Sequence, residues 1–277
     1  MPPRISVTII AGNEEERIAG AVRSAVWADE VLVLDSESTD RTAAVAREAG
    51  ARVVVEPWRG YGAQKNRAAE LARNDWVFSL DADERITPAL RDAILALPEE
   101  PGPAAYRVRR RNRFAGEPLP RWPWSWDRTV RLYDRRRARF SERPVHESVV
   151  TSGGIGELPA PIEHYSYRGW EDLLERQVRY AILGARAAYE AGRRPRPGDL
   201  WLRPRVTFLR HWLGRGYLLG GLLGWRLAAA AAHGTWMRYV LLRELWERGA
   251  DAQRRDSCGT NGMSAIDGTV ARNVRPK

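Results

Sequence analysis

Trp76-Val77-Phe78-Ser79-Leu80-Asp81-Ala82-Asp83 is the stretch that decides the fold. Its first five residues form an apolar run of the length of a buried strand, and two carboxylates close it. Alternate side chains of a strand share a face, so Asp81 and Asp83 are expected to point the same way. Two carboxylates at the carboxyl end of a parallel strand can hold a divalent cation against a diphosphate. Asp-x-Asp alone also describes a solvated strand end or a helix-capping turn, and the surrounding sequence decides between them.

Upstream, Ile5-Ser6-Val7-Thr8-Ile9-Ile10 is a β-branched run. Asn13 follows as the expected N-cap of a helix with Glu14, Glu15 and Glu16 in its first turn. Ile18, Val22 and Val26 give that helix its apolar face. Val31-Leu32-Val33-Leu34 is a second buried strand, ending at Asp35. Ser38 or Thr39 is expected to cap the next helix, and Gly50 to stop it. Val53-Val54-Val55 reads as a third strand, residues 63–72 as a helix, residues 76–80 as a fourth strand, and Thr87-Pro88 as the start of another helix. Strand and helix alternate throughout, which predicts an α/β fold with a mostly parallel sheet and helices on both faces.

After Pro98 the pattern changes. Residues 106–111, 129–133 and 145–150 read as short strands, around a turn-rich stretch holding Trp122, Trp124 and Trp126. A helical stretch begins near Trp170, a Pro- and Arg-rich linker covers residues 192–198, and a second helical region covers residues 201–248. The expected division is a catalytic domain over 1–168, a C-terminal helical extension over 169–248, and a tail without regular structure over 249–277.

The chain has 277 residues and 44% hydrophobic content, enough for a sizeable core. Lysine plus arginine outnumber aspartate plus glutamate 45 to 35, a net +10, and only Lys65 and Lys277 are lysines. Such a bias suits phosphate-bearing partners: nucleotides, nucleic acid or an anionic membrane surface. The single cysteine, Cys258, excludes a disulfide framework and a zinc cluster and fits a reducing cytoplasm. The first residues carry no signal-peptide pattern.

Ligands of open α/β sheets bind outside the carboxyl ends of the strands. Those ends present Asn13 and Glu14, then Asp35, then Asp81 and Asp83. Four acidic groups on one rim repel each other unless cationic or hydrogen-bonding partners sit among them, and a nucleotide with a metal ion meets that need. Asp35 can accept from a base N–H or a ribose hydroxyl, and Asp83 can ligate the metal. Neither a Gly-x-Gly-x-x-Gly after the first strand nor a Gly-x4-Gly-Lys-Ser/Thr motif occurs, which disfavours a dehydrogenase-type dinucleotide fold and excludes a P-loop.

Four motifs together resemble a known family: Asn13-Glu14-Glu15; Val33-Leu34-Asp35-Ser36-x-Ser38-Thr39-Asp40-Arg41-Thr42; Gly62-Ala63-Gln64-Lys65-Asn66; and Asp75-Trp76-Val77-x-Ser79-Leu80-Asp81-Ala82-Asp83-Glu84. They are similar to family 2 inverting glycosyltransferases of the GT-A fold. Arg131-Leu132-Tyr133, Val145-His146-Glu147 and His164-Tyr165-Ser166-Tyr167 are similar to the lipopolysaccharide-core β-glucosyltransferase branch. Two positions depart from the pattern: Ala11-Gly12 precede Asn13, and Glu37 stands where glycine is common.

The resemblance implies transfer of a hexose such as glucose from a nucleotide diphosphate sugar, with Mg2+ or Mn2+, to a lipid-linked or lipopolysaccharide inner-core acceptor. Asn13, Glu14, Asp35, Lys65, Asp81 and Arg131 are the expected nucleotide-sugar residues and Asp83 the expected metal ligand. Lys65 has a solvated helix lysine as its alternative, and Arg131 can pair with the diphosphate or with an acidic strand end. An inverting transfer needs a base for the acceptor hydroxyl and no protein nucleophile. Glu147 is the expected base, Asp127 its alternative. His146 reads as an orienting group, His164 as structural, and the three tryptophans as an acceptor platform or a core anchor.

Residues 216–225 are apolar but bracketed by Arg215 and Arg226, and the run is far shorter than the roughly 20 residues of a spanning helix. Tryptophan with arginine on an amphipathic segment suits an interfacial helix on an anionic membrane, and a subdomain packed on the catalytic core is the alternative. The expected location is cytoplasmic, peripheral on the inner face of the cytoplasmic membrane. Two rivals remain at this point. A polyprenyl-phosphate glycosyltransferase would use arginines among residues 109–113. A basic nucleic-acid-binding module would use Arg135-Arg136-Arg137, but no nucleic-acid motif is present and acidic residues crowd the sheet rim, so nucleic acid is not an expected partner.

Overall fold

The computed structural model describes residues 2–100, 102–119, 126–141 and 148–263. The chain divides into two units, Met1–Trp170 and Glu171–Lys277.

The first unit begins β1 (Ile5–Ala11), α1 (Glu15–Ala25), β2 (Glu30–Asp35), α2 (Thr42–Glu48), β3 (Arg52–Val55), α3 (Tyr61–Leu71) and β4 (Trp76–Asp81). All six residues of β2 are buried, as expected of a strand covered on both faces. Ile18, Ala21, Val22 and Ala25 form the buried stripe of α1 against this sheet. There follow β5 (Glu84–Ile86), α4 (Pro88–Leu95), β6 (Ala105–Phe114), β7 (Glu117–Pro118), β8 (Trp126–Asp134), β9 (Ala138–Phe140), β10 (Val149–Thr151), β11 (Ile155–Glu157) and β12 (Ile162–Tyr167).

The expected α/β architecture is present. The main sheet runs β3-β2-β1-β4-β8-β6-β12-β5, with β7 and β11 also paired to β6, while β9 and β10 form a separate pair. Pairing is parallel from β3 to β4, antiparallel on both sides of β8, and parallel again between β6 and β12. Asp35 lies opposite Ala11 and Asp81 opposite Ile10, so both carboxylates reach the same rim.

Three local expectations are corrected. β4 ends at Asp81, and Ala82 and Asp83 form the turn into β5, so strand alternation does not carry on to Asp83. Asn13 does not cap α1: its side chain accepts from the Thr39 amide instead. Ser38 and Thr39 do not cap α2 either; the helix starts at Thr42, whose amide and hydroxyl both donate to Asp40. Thr87 does cap α4, accepting from the Leu90 amide at 3.1 Å with Pro88 at the first helical position.

In the second unit, α5 (Trp170–Glu190) precedes a 3₁₀ turn, Pro197–Leu200, and α6 (Leu202–Leu209). A π-turn, Arg210–Gly214, and a second 3₁₀ turn, Tyr217–Gly220, lead to α7 (Gly221–Met263). Gly216, at φ +69°, takes the left-handed conformation that breaks this expected helical region in two. Gly224 lies so near the Tyr217 carbonyl that a Cβ would fall 1.7 Å from its oxygen. Ala185, Ala188 and Leu242 form a small core beside the Tyr189–Trp246 ring pair. α7 continues past residue 248 to Met263, where the sequence predicts an unstructured tail.

Candidate functional site

The two carboxylates of Asp81-Ala82-Asp83 take different partners, a consequence of the turn that begins at Ala82. Asp81 receives Lys65 Nζ at 3.2 Å on Oδ1 and Arg131 Nη2 at 2.6 Å on Oδ2. Arg131 also reaches Glu84 Oε1 at 2.5 Å, and the other Glu84 oxygen accepts from the Asp81 amide at 3.1 Å. Lys65 comes from α3, Arg131 from β8 and Glu84 from β5, so three elements converge on the end of β4. Lys65, Arg131 and Glu84 are all buried. Lys65 therefore is not a solvated helix lysine, and Arg131 pairs with an acidic strand end.

The cluster has two cations and two carboxylates. Burial opposes the charge on Asp81, but Arg131 and Lys65 outweigh it and hold the carboxyl well below the usual carboxylate range. Burial raises Glu84, and Asp81's charge adds to that, with Arg131 opposing. Burial works against the charge on Arg131 too, but the two carboxylates raise it above the usual arginine value. The result is a rigid charged floor beneath the rim, with Lys65 also 5.2 Å over the Phe140 ring. Asn66 fixes the Phe140 backbone by accepting from its amide and donating to its carbonyl.

Asp83 faces a different group. Its Oδ2 lies 3.3 Å from His164 Nε2 and 3.8 Å from Arg17 Nη1. His164 Nδ1 lies 2.6 Å from Asn112 Oδ1 and 2.9 Å from the Ser166 hydroxyl. Nδ1 is thus engaged by Asn112 and Ser166 while Nε2 faces the Asp83 carboxylate. That juxtaposition suits a cation between them. Among the described residues no three His, Cys, Asp or Glu side chains gather as a metal site. Two protein donors plus diphosphate oxygens make a suitable set for Mg2+ or Mn2+, which commonly take one or two protein ligands beside a phosphate substrate. His164, expected as a structural residue, lies between Asn112 and Asp83, where its ring can also face a ligand of the rim.

Asn13, Glu14 and Asp35 are joined through the loop after β2. Asp35, 1% exposed, accepts from the Ser38 amide at 3.0 Å and from its hydroxyl. The same hydroxyl accepts from the Asn13 amide at 2.9 Å, and the Glu14 amide donates to Thr42 at 2.7 Å. Asn13 and Glu37 both have positive φ, +56° and +54°. Asparagine tolerates that conformation; a glutamate does so at a cost that glycine would not incur.

Glu147 and His146 lie outside the described residues, as do Trp122 and Trp124. Asp127 is described by its backbone, opposite Arg110 in the β6–β8 pairing. Six of the arginines invoked by the rival readings have protein partners. Arg109 donates to the Pro159 carbonyl, Arg110 lies 3.8 Å from Glu84, and Arg111 and Arg113 both pair with Glu163. Arg135 bonds the Ala69 and Ala72 carbonyls, and Arg136 pairs with Asp75 and Asp134.

Comparison with known proteins identifies the family. Residues 6–155 match Glycosyl transferase family 2. An uncharacterized glycosyltransferase of Rickettsia typhi is 32% identical over 87% of this chain and 87% of its own length. The lipopolysaccharide core biosynthesis glycosyltransferase LpsC of Rhizobium meliloti is 33% identical over 82% of this chain and 87% of its own. A crystal structure of glucosyl-3-phosphoglycerate synthase from Mycobacterium tuberculosis with Mn2+, UDP and glucosyl-3-phosphoglycerate aligns over 40% of this chain and 44% of that one, at 30% identity. Its TM-score of 0.33 is too low to carry weight. The matched residues contain the whole rim from Asn13 to Asp83 together with Arg131, and the chain belongs to glycosyl transferase family 2.

Proposed function

We propose that this glycosyltransferase moves a hexose, glucose or a close relative, with inversion from a nucleotide diphosphate sugar to a lipopolysaccharide inner-core acceptor. The observation that carries the reading is the split of Asp81 and Asp83: one neutralised by Lys65 and Arg131, the other facing His164 at 3.3 Å. The acceptor class rests on the likeness to LpsC. The corresponding location is the inner face of the cytoplasmic membrane, with peripheral attachment.

Asn13, Glu14 and Asp35 border the nucleotide, with Asp35 holding the loop that faces it. Asp83 and His164 would hold a divalent cation. The bound cation supplies Lewis-acid neutralisation of the departing diphosphate. Arg131 and Lys65 fix Asp81 so that the β4 end keeps its shape as charge develops. The acceptor hydroxyl forms its bond to the anomeric carbon as the bond to the diphosphate oxygen breaks. Its proton passes to a carboxylate, Glu147 or alternatively Asp127, and the nucleoside diphosphate leaves.

A thermal-shift screen of nucleotide sugars, each with and without Mn2+ or Mg2+, tests the donor. Native-state ligands raise Tm by mass action, so one nucleotide sugar should raise it only with the metal present. Equal shifts with and without metal for every donor would contradict the reading.

A further inference from the structure

Nine large apolar side chains between residues 201 and 225 are each at least 48% exposed. Single exposed leucines mean little, but a cluster of this density marks a docking surface. Leu202, Val206, Leu209 and Leu213 are spaced four, three and four apart, so they form one stripe along α6 and its π-turn. The opposite face is packed: Thr207 meets Thr235 at 3.2 Å, and the Phe208 and Trp225 rings lie 6.4 Å apart. Helical geometry sets Arg205 on one flank of the stripe and Arg203 and Arg210 on the other. Beyond the π-turn, Leu218, Leu219 and Leu222 are exposed as well.

Asp199 pairs with Arg203 at 2.6 Å at the start of the segment, and beyond that pair the charge along it is positive. No aspartate or glutamate occurs between Asp199 and Glu244, while Arg203, Arg205, Arg210, Arg215 and Arg226 all fall within that interval. Among the described residues no carboxylate pairs with Arg210, Arg215 or Arg226. No helix among the described residues is long and apolar enough to cross a membrane. An apolar ridge with cationic flanks and no acidic residue fits the headgroup–acyl boundary of an anionic bilayer: the ridge enters the acyl region and the guanidinium groups stay at the phosphates.

We infer that residues 201–225 form the membrane-inserting wedge of this protein and that its partner is an anionic phospholipid surface. This deepens the peripheral location given above, and it stands or falls apart from the chemistry. The test is flotation of the full chain with vesicles of phosphatidylcholine alone or mixed with phosphatidylglycerol. Two triple variants are compared with the parent, Val206→Ser/Leu209→Ser/Leu213→Ser and Leu218→Ser/Leu219→Ser/Leu222→Ser, with circular dichroism melting to show that each is folded. A third variant, Arg210→Gln/Arg215→Gln/Arg226→Gln, reports the ionic part.

The parent should float with the anionic vesicles, and its tryptophan emission should shift to the blue. Each serine triple should lower the partition coefficient by about tenfold or more, and the glutamine triple should remove the preference for anionic lipid. Asp83→Ala, which lies outside the wedge, should float like the parent, so loss of transfer with retained flotation separates the two readings. Folded serine triples that partition like the parent would overturn the inference. So would a parent that does not float, or serine triples that turn a dimer into a monomer in solution without changing flotation, which would make the ridge a self-association face.

Discussion

Arg131 Nη2 sits 2.6 Å from Asp81 Oδ2, and the arginine side chain is only 3% exposed. The same guanidinium group binds Glu84, whose side chain is fully buried. One cation on β8 thus neutralises carboxylates at the end of β4 and the start of β5.

Replacing Arg131 by methionine leaves the buried Glu84 without its main partner and the half-buried Asp81 with Lys65 alone. Breaking one side of a buried ion pair costs about 3–5 kcal/mol. Arg131→Met should therefore lower the midpoint of urea unfolding strongly even with no ligand present. A change below about 1 kcal/mol would mean that the cluster relaxes into water.

Asn112 should set metal affinity through His164. Its side-chain oxygen fixes the ring at 2.6 Å, and loss of such an outer partner typically weakens metal binding about 10–100-fold. Asn112→Leu should show that loss in calorimetric titration with Mn2+ in the presence of a nucleoside diphosphate, with no activity measurement needed. Unchanged Mn2+ affinity would assign the Asn112 contact to folding alone.

Glu30 offers a pH test away from the site. Burial opposes its charge, but bonds from Ser6, the Arg73 amide and Arg52 more than offset that and lower its pKa. A lowered folded-state value stabilises fully above the unfolded value of about 4.3 and is lost as pH falls through the folded one. Glu30→Gln should cost about 1–3 kcal/mol at pH 7. The difference in Tm from the parent should shrink as pH drops below that of an ordinary glutamate. A constant difference from pH 7 into acid would contradict the assignment.

Glu147→Gln should bind the donor as the parent does and transfer slowly, since loss of a general base costs about 10²–10⁴-fold. Donor affinity and single-turnover transfer are the two measurements. Near-full activity of Glu147→Gln with an inactive Asp127→Asn would move the base to Asp127.

The parallel half of the sheet was legible in the sequence because β1, β2 and β4 are β-branched or apolar runs whose burial needs no distant partner to be inferred. β5, β11 and β12 were not. They are short or polar, and they exist as strands because β6 and each other supply their ladders. The charged floor was half legible: Asp81, Lys65 and Arg131 could each be singled out, but residues 50 or more apart in sequence share one site only through the β4–β8 pairing. The place of His164 beside Asp83 was not legible for the same reason, since it depends on β12 lying along β6 and β5. Asp83 was assigned the right neighbourhood by the wrong geometry, because a turn and not a strand carries it.

The most direct measurement is release of nucleoside diphosphate from a nucleotide sugar with Mn2+, comparing Asp83→Ala with the parent at matched folded fraction. The account predicts a loss of about 100-fold or more in kcat, as removal of a group that stabilises developing charge typically brings. An Asp83→Ala protein that keeps more than roughly a tenth of the parent's kcat, a difference of under about 1.4 kcal/mol in the barrier, would contradict it.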